Sequence, residues 1–341
     1  IFKKYKNSIP KFEEGFKTSI DEYQYFSTSS SSQEYRKHYR IFNKKKKLIL
    51  DINKLSKNKS FFSISGIYPS RNHNYIAYGE DTSGRREYSI VVKDISNNRN
   101  IEKNVCSSSG TIIWNKSSNG YFYLKKDPKT LISSSLYFHK LGTSLKKDKL
   151  IYKEEDNQFN LSISLSRTKK YLLLEISKTE SNEIRYLDLE DESFPLKCFL
   201  KRKKNHLYYV DDSPDNFYIL SNRRGKINFA LYKTDLNKIS ETYWKIVIDH
   251  KKNEIIENFL CFKDFIILET RKNGLSQLVQ FNKVKKKKTY IQFKDEAYTV
   301  SLSNNNNNYY ANDFAFVFSS LKTPSSIFTQ NLYTKKEKGN G

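Results

Sequence analysis

The stretch Ser89-Ile90-Val91-Val92-Lys93-Asp94-Ile95 decides the fold of this chain, because strand-like runs that close on an aliphatic residue return at regular intervals. The closing residues are Ile95, Leu141, Leu189, Leu236, Val284 and Leu332. The gaps between them are 46, 48, 47, 48 and 48 residues. A fixed period in the forties, built from β-branched and aromatic residues, is typical of a β-propeller blade.

Turn residues divide each period into strand-sized pieces. In the second period these pieces are Phe61–Ile67, Tyr75–Gly79, Glu87–Ile95 and Ile101–Val105. A partial period precedes it, with strands at Tyr23–Phe26, Tyr39–Phe42 and Leu48–Leu50, and the last period runs from Tyr298 to Leu332. The sequence therefore predicts an all-β fold, a seven-bladed β-propeller of four-stranded antiparallel blades over residues 21–334. Sequence alone leaves open how the ring closes.

The two ends of the chain differ from this pattern. Ile1, Phe2, Tyr5 and Ile9 have helical spacing until Pro10, so residues 1–20 are predicted as a short helical segment or linker. The Lys-rich residues 335–341 are predicted to begin a linker to another domain. The chain begins with Ile1 and contains no Met, which indicates an internal piece of a longer, cytoplasmic protein without a signal peptide.

The chain is strongly basic, with 61 Lys and Arg against 37 Asp and Glu, and 61 − 37 = +24. Such a charge can indicate binding to nucleic acid or to an anionic membrane. Much of it lies in short loop runs, however, such as Lys44–Lys47, residues 201–204 and Lys285–Lys288. Lys, Asn, Ile and Tyr are over-used together, as an AT-rich coding sequence would produce. Compositional drift is therefore the favoured interpretation, with no membrane partner expected and nucleic acid an unfavoured one.

The sequence contains no motif that supplies catalytic chemistry. Gly-x-Ser-x-Gly, the P-loop and His-Glu-x-x-His are all absent. Cys106, Cys198 and Cys261 are widely spaced, which predicts free, buried or half-buried thiols rather than a disulfide framework. The five histidines are expected in turns or on the surface. We predict no catalytic residue, no metal site and no cofactor in this chain.

Clustered carboxylates are the remaining candidates for a site. They occur at Glu154-Glu155-Asp156, Glu190-Asp191-Glu192 and Asp211-Asp212 with Asp215. Each cluster fits a solvated turn, and each could also attract a cationic peptide toward the centre of a propeller. The run Asn304–Asn308 is interpreted as a low-complexity loop insertion without further meaning.

Several collinear segments resemble oligopeptidase B and, more loosely, the wider prolyl oligopeptidase family. They include Ser60–Gly66, Ile76–Asp81, Glu87–Ile90, Val105–Trp114, Lys140–Thr143, Leu150–Asp156, Glu183–Asp188, Phe217–Asn222 and Phe318–Ser326. This resemblance covers nearly the whole chain from about residue 20 onward. It implies a propeller without strand-exchange closure that caps an α/β-hydrolase domain carrying Ser, Asp and His. It further implies a serine endopeptidase that cleaves short peptides after Lys or Arg.

The resemblance assigns this chain a gating role, since none of the catalytic motifs is present. The expected partners are the α/β-hydrolase domain and short basic peptides. Asp81, Arg85 and Arg86 in one loop, with Glu154, Glu155 and Asp156 in another, are candidates for interdomain ion pairs that break on opening. Two other functions stay open: a free-standing binding propeller left by a decayed peptidase gene, and, last, a nucleic-acid-binding propeller.

Overall fold

The computed structural model describes residues 10–306 and 308–340, and their regular secondary structure is almost entirely β-strand. Among these residues there is one short α-helix, α1 at Ile52–Leu55, with 3₁₀ turns at Leu145–Lys147 and Glu241–Tyr243. Residue contacts divide the chain into two compact units, Ile1–Ile163 and Ser164–Gly341.

The first unit contains two antiparallel sheets. The five-stranded sheet is formed by β1 Phe12–Glu14, β2 Thr18–Ile20, β3 Tyr23–Ser30, β4 Lys37–Phe42 and β5 Lys45–Asp51, in the order β1-β3-β4-β5 with β2 also on β3. The eight-stranded sheet contains β6 Ser63–Ile64, β7 Tyr68–Pro69, β8 Tyr75–Asp81, β9 Tyr88–Asp94, β10 Arg99–Trp114, β11 Gly120–Lys126, β12 Ser133–Lys140 and β13 Lys149–Lys153. Its order is β13-β12-β11-β10-β9-β8-β6, with β7 beside β8.

Four-stranded sheets with sequential strand order make up the rest. The first, which begins at the boundary of the units, is β14 Asn160–Leu165, β15 Tyr171–Lys178, β16 Ser181–Asp188 and β17 Lys197–Leu200. The second is β18 Tyr208–Asp212, β19 Asn216–Ser221, β20 Ala230–Asp235 and β21 Lys245–Ile248. The third is β22 Glu254–Cys261, β23 Phe265–Lys272, β24 Leu275–Asn282 and β25 Lys287–Tyr290. The fourth is β26 Tyr298–Leu302, β27 Asp313–Ser320, β28 Ser326–Asn331 and β29 Glu337–Asn340.

The prediction of seven four-stranded blades is wrong. Among the described residues, five sheets have the four or five strands of a blade, and the remaining sheet has eight. The cause is β10, a 16-residue strand where the sequence indicated two strands separated by a serine-rich turn. Ser108 pairs with Tyr88 on one side and with Lys125 on the other, and its hydroxyl donates to the carbonyl of Tyr88 over 2.8 Å. The serines therefore continue the strand through a bulge and join two expected blades into one sheet.

The ends of the chain also depart from the expected pattern. The predicted helix before Pro10 lies on residues 1–9, outside the described residues, and β1 and β2 occupy part of the segment that follows. At the other end, β29 pairs with β28 in residues where we expected a linker to begin.

The core lies between successive sheets. One cluster in the second unit joins β15–β17 to β18–β21 through Tyr171, Tyr208, Phe217 and Trp244, which are all buried. Aromatic residues of this size bury the most apolar area per side chain, which explains how a chain with only 37% hydrophobic residues forms continuous cores.

The periodic closing residue has the same structural role in four repeats. The amides of Ile95, Leu141, Leu189 and Leu332 each follow one strand and donate to the carbonyl just before the preceding strand of the same sheet, over 2.8–2.9 Å. In the third four-stranded sheet the amide that does this belongs to Lys283, which donates to Asp264. Val284, which the spacing picked out, is one position further and 79% exposed. The repeat is therefore real, but its register is offset by one residue at this turn.

Candidate functional site

The first predicted loop, between β8 and β9, is a closed turn built around Asp81. This carboxylate is buried and accepts hydrogen bonds from the amides of Ser83, Gly84 and Arg86 over 2.8–3.0 Å, and from the Ser83 hydroxyl. Burial by itself would raise the pKa of Asp81, but these hydrogen bonds outweigh it and lower that pKa. Asp81 thus holds the loop shape.

The arginines of this loop have partners of their own. Nε of Arg85 lies 3.2 Å from Oε2 of Glu87, and the carbonyl of Arg86 accepts from Nζ of Lys126 over 2.7 Å. Both arginine side chains are exposed at the end of the hairpin. They remain available to a partner surface.

The second predicted loop, after β13, divides its carboxylates between two roles. Glu154 is buried and accepts from the hydroxyl of Tyr152 and from the amide of Asp156. Glu155 is exposed and pairs with Lys153 over 3.0 Å. In the described part of the chain, Arg85 pairs with Glu87 and Glu155 pairs with Lys153, each within its own loop. These ion pairs therefore do not join the two loops to each other.

The third acidic cluster is the centre of a buried polar network in the second unit. The turn between β14 and β15 places the amide of Arg167 2.6 Å from Oδ1 of Asp211, and the amide of Thr168 2.8 Å from Oδ1 of Asp212. Asp211 also accepts from the amide of Asp212. Two adjacent carboxylates are therefore held against one turn of the neighbouring sheet.

Arg167 connects four sheets of the second unit. Its side chain is 8% exposed and its guanidinium lies over the ring of Phe262, 4.6 Å from the centroid. Nε donates to the carbonyl of Cys261 over 2.8 Å, and the terminal nitrogens donate to the carbonyls of Asn306 and Asn308. One buried cation thereby satisfies three backbone acceptors that come from the first turns of the third and fourth four-stranded sheets.

The asparagine run has a structural role that the sequence interpretation missed. The side-chain amide of Asn306 donates to the carbonyls of Ser303 and Ala315, and its oxygen accepts from the amide of Ala315 over 2.7 Å. These bonds fix the loop after β26 where Arg167 meets it. The interpretation of Asn304–Asn308 as a loop without meaning is therefore wrong for Asn306 and Asn308.

Electrostatics at this network favour neutral carboxyl groups. Burial, together with the charge of adjacent Asp212, raises the pKa of Asp211 to about 7. Burial likewise raises the pKa of Asp212 and lowers the pKa of Arg167. The cluster is thus tuned by burial, which is unlike the solvated turn that sequence reasoning considered for Asp211 and Asp212.

A repeated motif could have indicated Arg167 from the sequence. Ser-Arg-x-x-x-Tyr occurs at residues 70–75 and 166–171. In both copies the tyrosine amide donates to the serine hydroxyl over 3.0 Å, and the fourth residue has a positive φ, 57° at His73 and 63° at Lys169. The motif describes one turn, and its second position is the arginine.

The second missed network lies in the first unit. His139 is fully buried, with Nδ1 2.6 Å from Oδ1 of Asp148 and Nε2 2.7 Å from Oε1 of Glu102. Asp148 also accepts from the hydroxyl of Tyr123. The expectation of a surface or turn histidine is wrong here, because β12 directs this side chain between Glu102 of β10 and Asp148, the residue just before β13.

These networks are structural arrangements, and neither presents an activated nucleophile. Cys106 and Cys198 are half-buried and Cys261 is buried, all three as free thiols, as the sequence predicted. Burial raises the pKa of Cys106 to about 11, so its thiol is protonated at neutral pH. Within residues 10–306 and 308–340, no group of three or more His, Cys, Asp or Glu side chains has a metal-binding arrangement. No helix of this part of the chain is long and apolar enough to cross a bilayer.

Comparison with known proteins gives one consistent answer. Residues 1–339 match the family model described as the N-terminal β-propeller domain of prolyl oligopeptidase. The chain is 27% identical over 288 residues to dipeptidyl aminopeptidase BI of Pseudoxanthomonas mexicana, covering 84% of this chain and 39% of that protein. It is also 27% identical to protease 2 of Moraxella lacunata, covering 84% of this chain and 41% of the relative.

Solved structures agree at the level of the fold. Oligopeptidase B from Leishmania major superposes with a TM-score of 0.93 at 21% identity, over 99% of this chain and 50% of that one. Oligopeptidase B from Trypanosoma brucei, in its closed form with covalently bound antipain, gives a TM-score of 0.91 at 20% identity, over 99% and 49%. The chain therefore spans half or less of the length of these four proteins.

Proposed function

Because this chain belongs to the prolyl oligopeptidase family, as the N-terminal β-propeller domain of that family, we propose that it is the non-catalytic, access-restricting part of an oligopeptidase B-like serine endopeptidase. The observation that carries this proposal is the family match over residues 1–339, in a chain that spans only 39% and 41% of two curated relatives. The hydrolase domain, with its serine nucleophile, would belong to the part of the protein that corresponds to the rest of those relatives.

The physical basis of access restriction is the stability of folded substrates. A flexible peptide can enter a narrow passage without breaking tertiary contacts. A folded domain would first have to lose about 5–15 kcal/mol of stability. A rigid barrier therefore selects by foldedness as well as by size. The networks around Arg167 and His139 support the rigidity that this mechanism needs, because each ties several strands together through buried charge.

Cleavage after Lys or Arg is the finer part of the proposal, and it rests on the resemblance to oligopeptidase B. The test uses the natural polypeptide and three short peptides that differ only in Arg, Lys or Gln at the cleaved position. We expect comparable kcat/KM for Arg and Lys and loss of cleavage with Gln. Cleavage of all three at similar rates would overturn the specificity, and cleavage of none would favour a free-standing binding propeller.

The exposed charges Arg85, Arg86 and Glu155 are proposed as part of the contact with the hydrolase domain. The other three candidates stabilise the same loops. Asp81 and Glu154 are buried hydrogen-bond acceptors, and Asp156 accepts from the amide of Gln158. The variant Arg85→Glu/Arg86→Glu should change the salt dependence of peptide hydrolysis, since exposed ion pairs are screened by salt. Arg99→Glu, at an exposed position of the same unit, is the control. An identical salt dependence in all three proteins would exclude these arginines from the contact.

A further inference from the structure

Two turns of the second unit have the same backbone geometry and the same unusual surface. In the turn after β24, the side-chain oxygen of Asn282 accepts from the amides of Val284 and Lys285 over 3.0 and 2.8 Å. In the turn after β28, Asn331 accepts from the amides of Tyr333 and Thr334 over 3.0 and 2.9 Å. The fifth residue has a positive φ in both, 50° at Lys286 and 59° at Lys335.

The structure places these two turns side by side. The amide of Lys283 donates to the carbonyl of Asp264 over 2.9 Å, and the hydroxyl of Tyr333 donates to Oδ2 of the same Asp264 over 2.7 Å. The ring of Tyr333 also meets Phe265 edge-on, with centroids 5.1 Å apart. Asp264 therefore contacts both turns, so their exposed outer residues lie in the same region of the surface.

We call this surface the basic turn pair. Its members are Val284, Lys285, Lys286, Lys287, Tyr333, Lys335 and Lys336. Val284 is 79% exposed and Tyr333 is 52% exposed. The five lysines are exposed as well, and none of them forms an ion pair within the described part of the chain. Two carboxylates contact the turns: Asp264 accepts from the hydroxyl of Tyr333, and Asp313 accepts from the side-chain amide of Asn331 over 2.8 Å. The five lysines outnumber them, so the surface carries a positive excess.

The turn geometry does not require these residue types. The turn after β9 has the same hydrogen bonds, from the amides of Ser96 and Asn97 to Asp94 over 2.7 and 3.0 Å, with Asn98 at φ 55°. It carries Ser, Asn and Asn where the turn after β24 carries Val284, Lys285 and Lys286. The exposed valine and the lysines are therefore additions to a turn that folds without them.

We propose that the basic turn pair binds an anionic membrane surface. Five lysines on flexible stems provide non-directional attraction to anionic headgroups, and an exposed valine among them can enter the headgroup region. A nucleic acid fits this surface less well. The surface contains no arginine to bind phosphate in a bidentate manner, and the ring and hydroxyl of its single aromatic residue, Tyr333, are already engaged by Phe265 and Asp264.

The direction of the last strand leaves this surface open. Because Ile327 pairs with Asn340, β29 ends beside the beginning of β28. This is the opposite end of the strands from the turn that contains Tyr333. A polypeptide that continues after β29 therefore starts at the end of the sheet away from the basic turn pair. The charge run at residues 201–204 contains no apolar residue, which makes it a suitable control.

The test is co-sedimentation of this chain with vesicles of phosphatidylcholine alone or with phosphatidylserine added, at low and at physiological salt. We expect binding only to the anionic vesicles and weaker binding as salt increases. Each lysine near the surface contributes about fivefold to the binding constant, so Lys285→Asn/Lys286→Asn should lose about 25-fold. Val284→Ser should weaken binding several-fold at both salt concentrations.

Lys201→Asn/Lys204→Asn removes the same charge elsewhere in the unit and should leave most of the binding intact. Equal losses in the two double variants would overturn the proposal in favour of non-specific attraction by net charge. Absence of binding to anionic vesicles would also overturn it. So would an electrophoretic shift in which the wild-type protein binds RNA and Lys285→Asn/Lys286→Asn does not. The variants copy residues of the turn after β9, so they should fold, and equal unfolding midpoints in urea check this. The readout does not depend on peptidase activity, so it fails or succeeds separately from the proposed function.

Discussion

Nδ1 of His139 lies 2.6 Å from Oδ1 of Asp148, and both side chains are buried in the eight-stranded sheet. Glu102 contacts the other nitrogen of the same ring over 2.7 Å. The imidazole thus lies between two carboxylates, one from β10 and one from the turn just before β13. Burial by itself lowers the pKa of His139, but its hydrogen bonds to the carboxylates of Glu102 and Asp148 outweigh burial and raise that pKa above 6.5.

A raised histidine pKa predicts a pH-dependent stability of the first unit. The contribution of a protonated His139 is complete below pH 6.5, the unfolded value, and is lost as the pH rises through the higher folded pKa. Urea unfolding should therefore require less urea at pH 8 than at pH 6. His139→Gln should remove this component and cost about 3 kcal/mol at pH 6, because two buried carboxylates lose their cation. An unchanged pH dependence in His139→Gln, with His250→Gln as the control, would contradict this assignment.

Asp211 predicts a separate pH effect in the second unit. Its pKa, raised from 3.8 to about 7 by burial and by Asp212, means that the folded state retains a proton which the unfolded chain releases. Stability is then greatest below pH 3.8 for this group alone and decreases as the pH rises to about 7, by about 4 kcal/mol at most.

Asp211→Asn keeps the acceptor for the amides of Arg167 and Asp212 and should remove this decrease. Hydrogen exchange of amides in β18 and β19, measured between pH 5 and pH 8 and corrected for the intrinsic rate, reports on the second unit alone. A wild-type protein whose protection is constant over this range would refute the prediction.

Substitution of the buried Arg167 should destabilise the second unit strongly. Arg167→Gln leaves the carbonyls of Cys261, Asn306 and Asn308 without their donor, and it should lower the free energy of unfolding by about 3 kcal/mol. Arg167→Lys keeps the charge but cannot reach three acceptors, so it should recover only part of the loss. Arg224→Gln, at an exposed position of the same unit, should change stability by less than about 0.5 kcal/mol. Similar unfolding midpoints for Arg167→Gln and Arg224→Gln would show that Arg167 does not stabilise the packing of the sheets.

Two adjacent tyrosines give a matched test of the core. Tyr208 is fully buried, and its hydroxyl accepts from the amide of Ile184 over 2.7 Å and donates to the carbonyl of Leu200. Tyr208→Phe should cost about 2 kcal/mol because both backbone groups lose their partner. Tyr209 is 40% exposed, so Tyr209→Phe should be close to neutral. Guanidinium unfolding of the two variants gives the comparison, and equal costs would mean that the Tyr208 hydroxyl is replaced by water.

The sequence predicted the all-β repeat because closing residues such as Ile95, Leu189 and Leu332 are buried and make the same backbone hydrogen bond in each repeat. It could not predict the merged sheet, since Ser107–Gly110 has the composition of a turn, and only the pairing of Ser108 on both sides makes it a strand. The buried networks were missed for a similar reason. Their members, such as Arg167 and Asn306, are far apart in sequence and are brought together by the packing of separate sheets. The same holds for the basic turn pair, whose two lysine clusters are separated by a full repeat.

The central proposal is that this propeller domain admits flexible peptides and excludes folded proteins. The most direct measurement uses the natural polypeptide and one small substrate domain that carries an Arg cleavage site, in a stable form and in a form unfolded by a single core substitution. We predict that kcat/KM for the unfolded form approaches that of a short peptide with the same site, and that the stable form is not cleaved. Equal cleavage of the two forms would contradict the account.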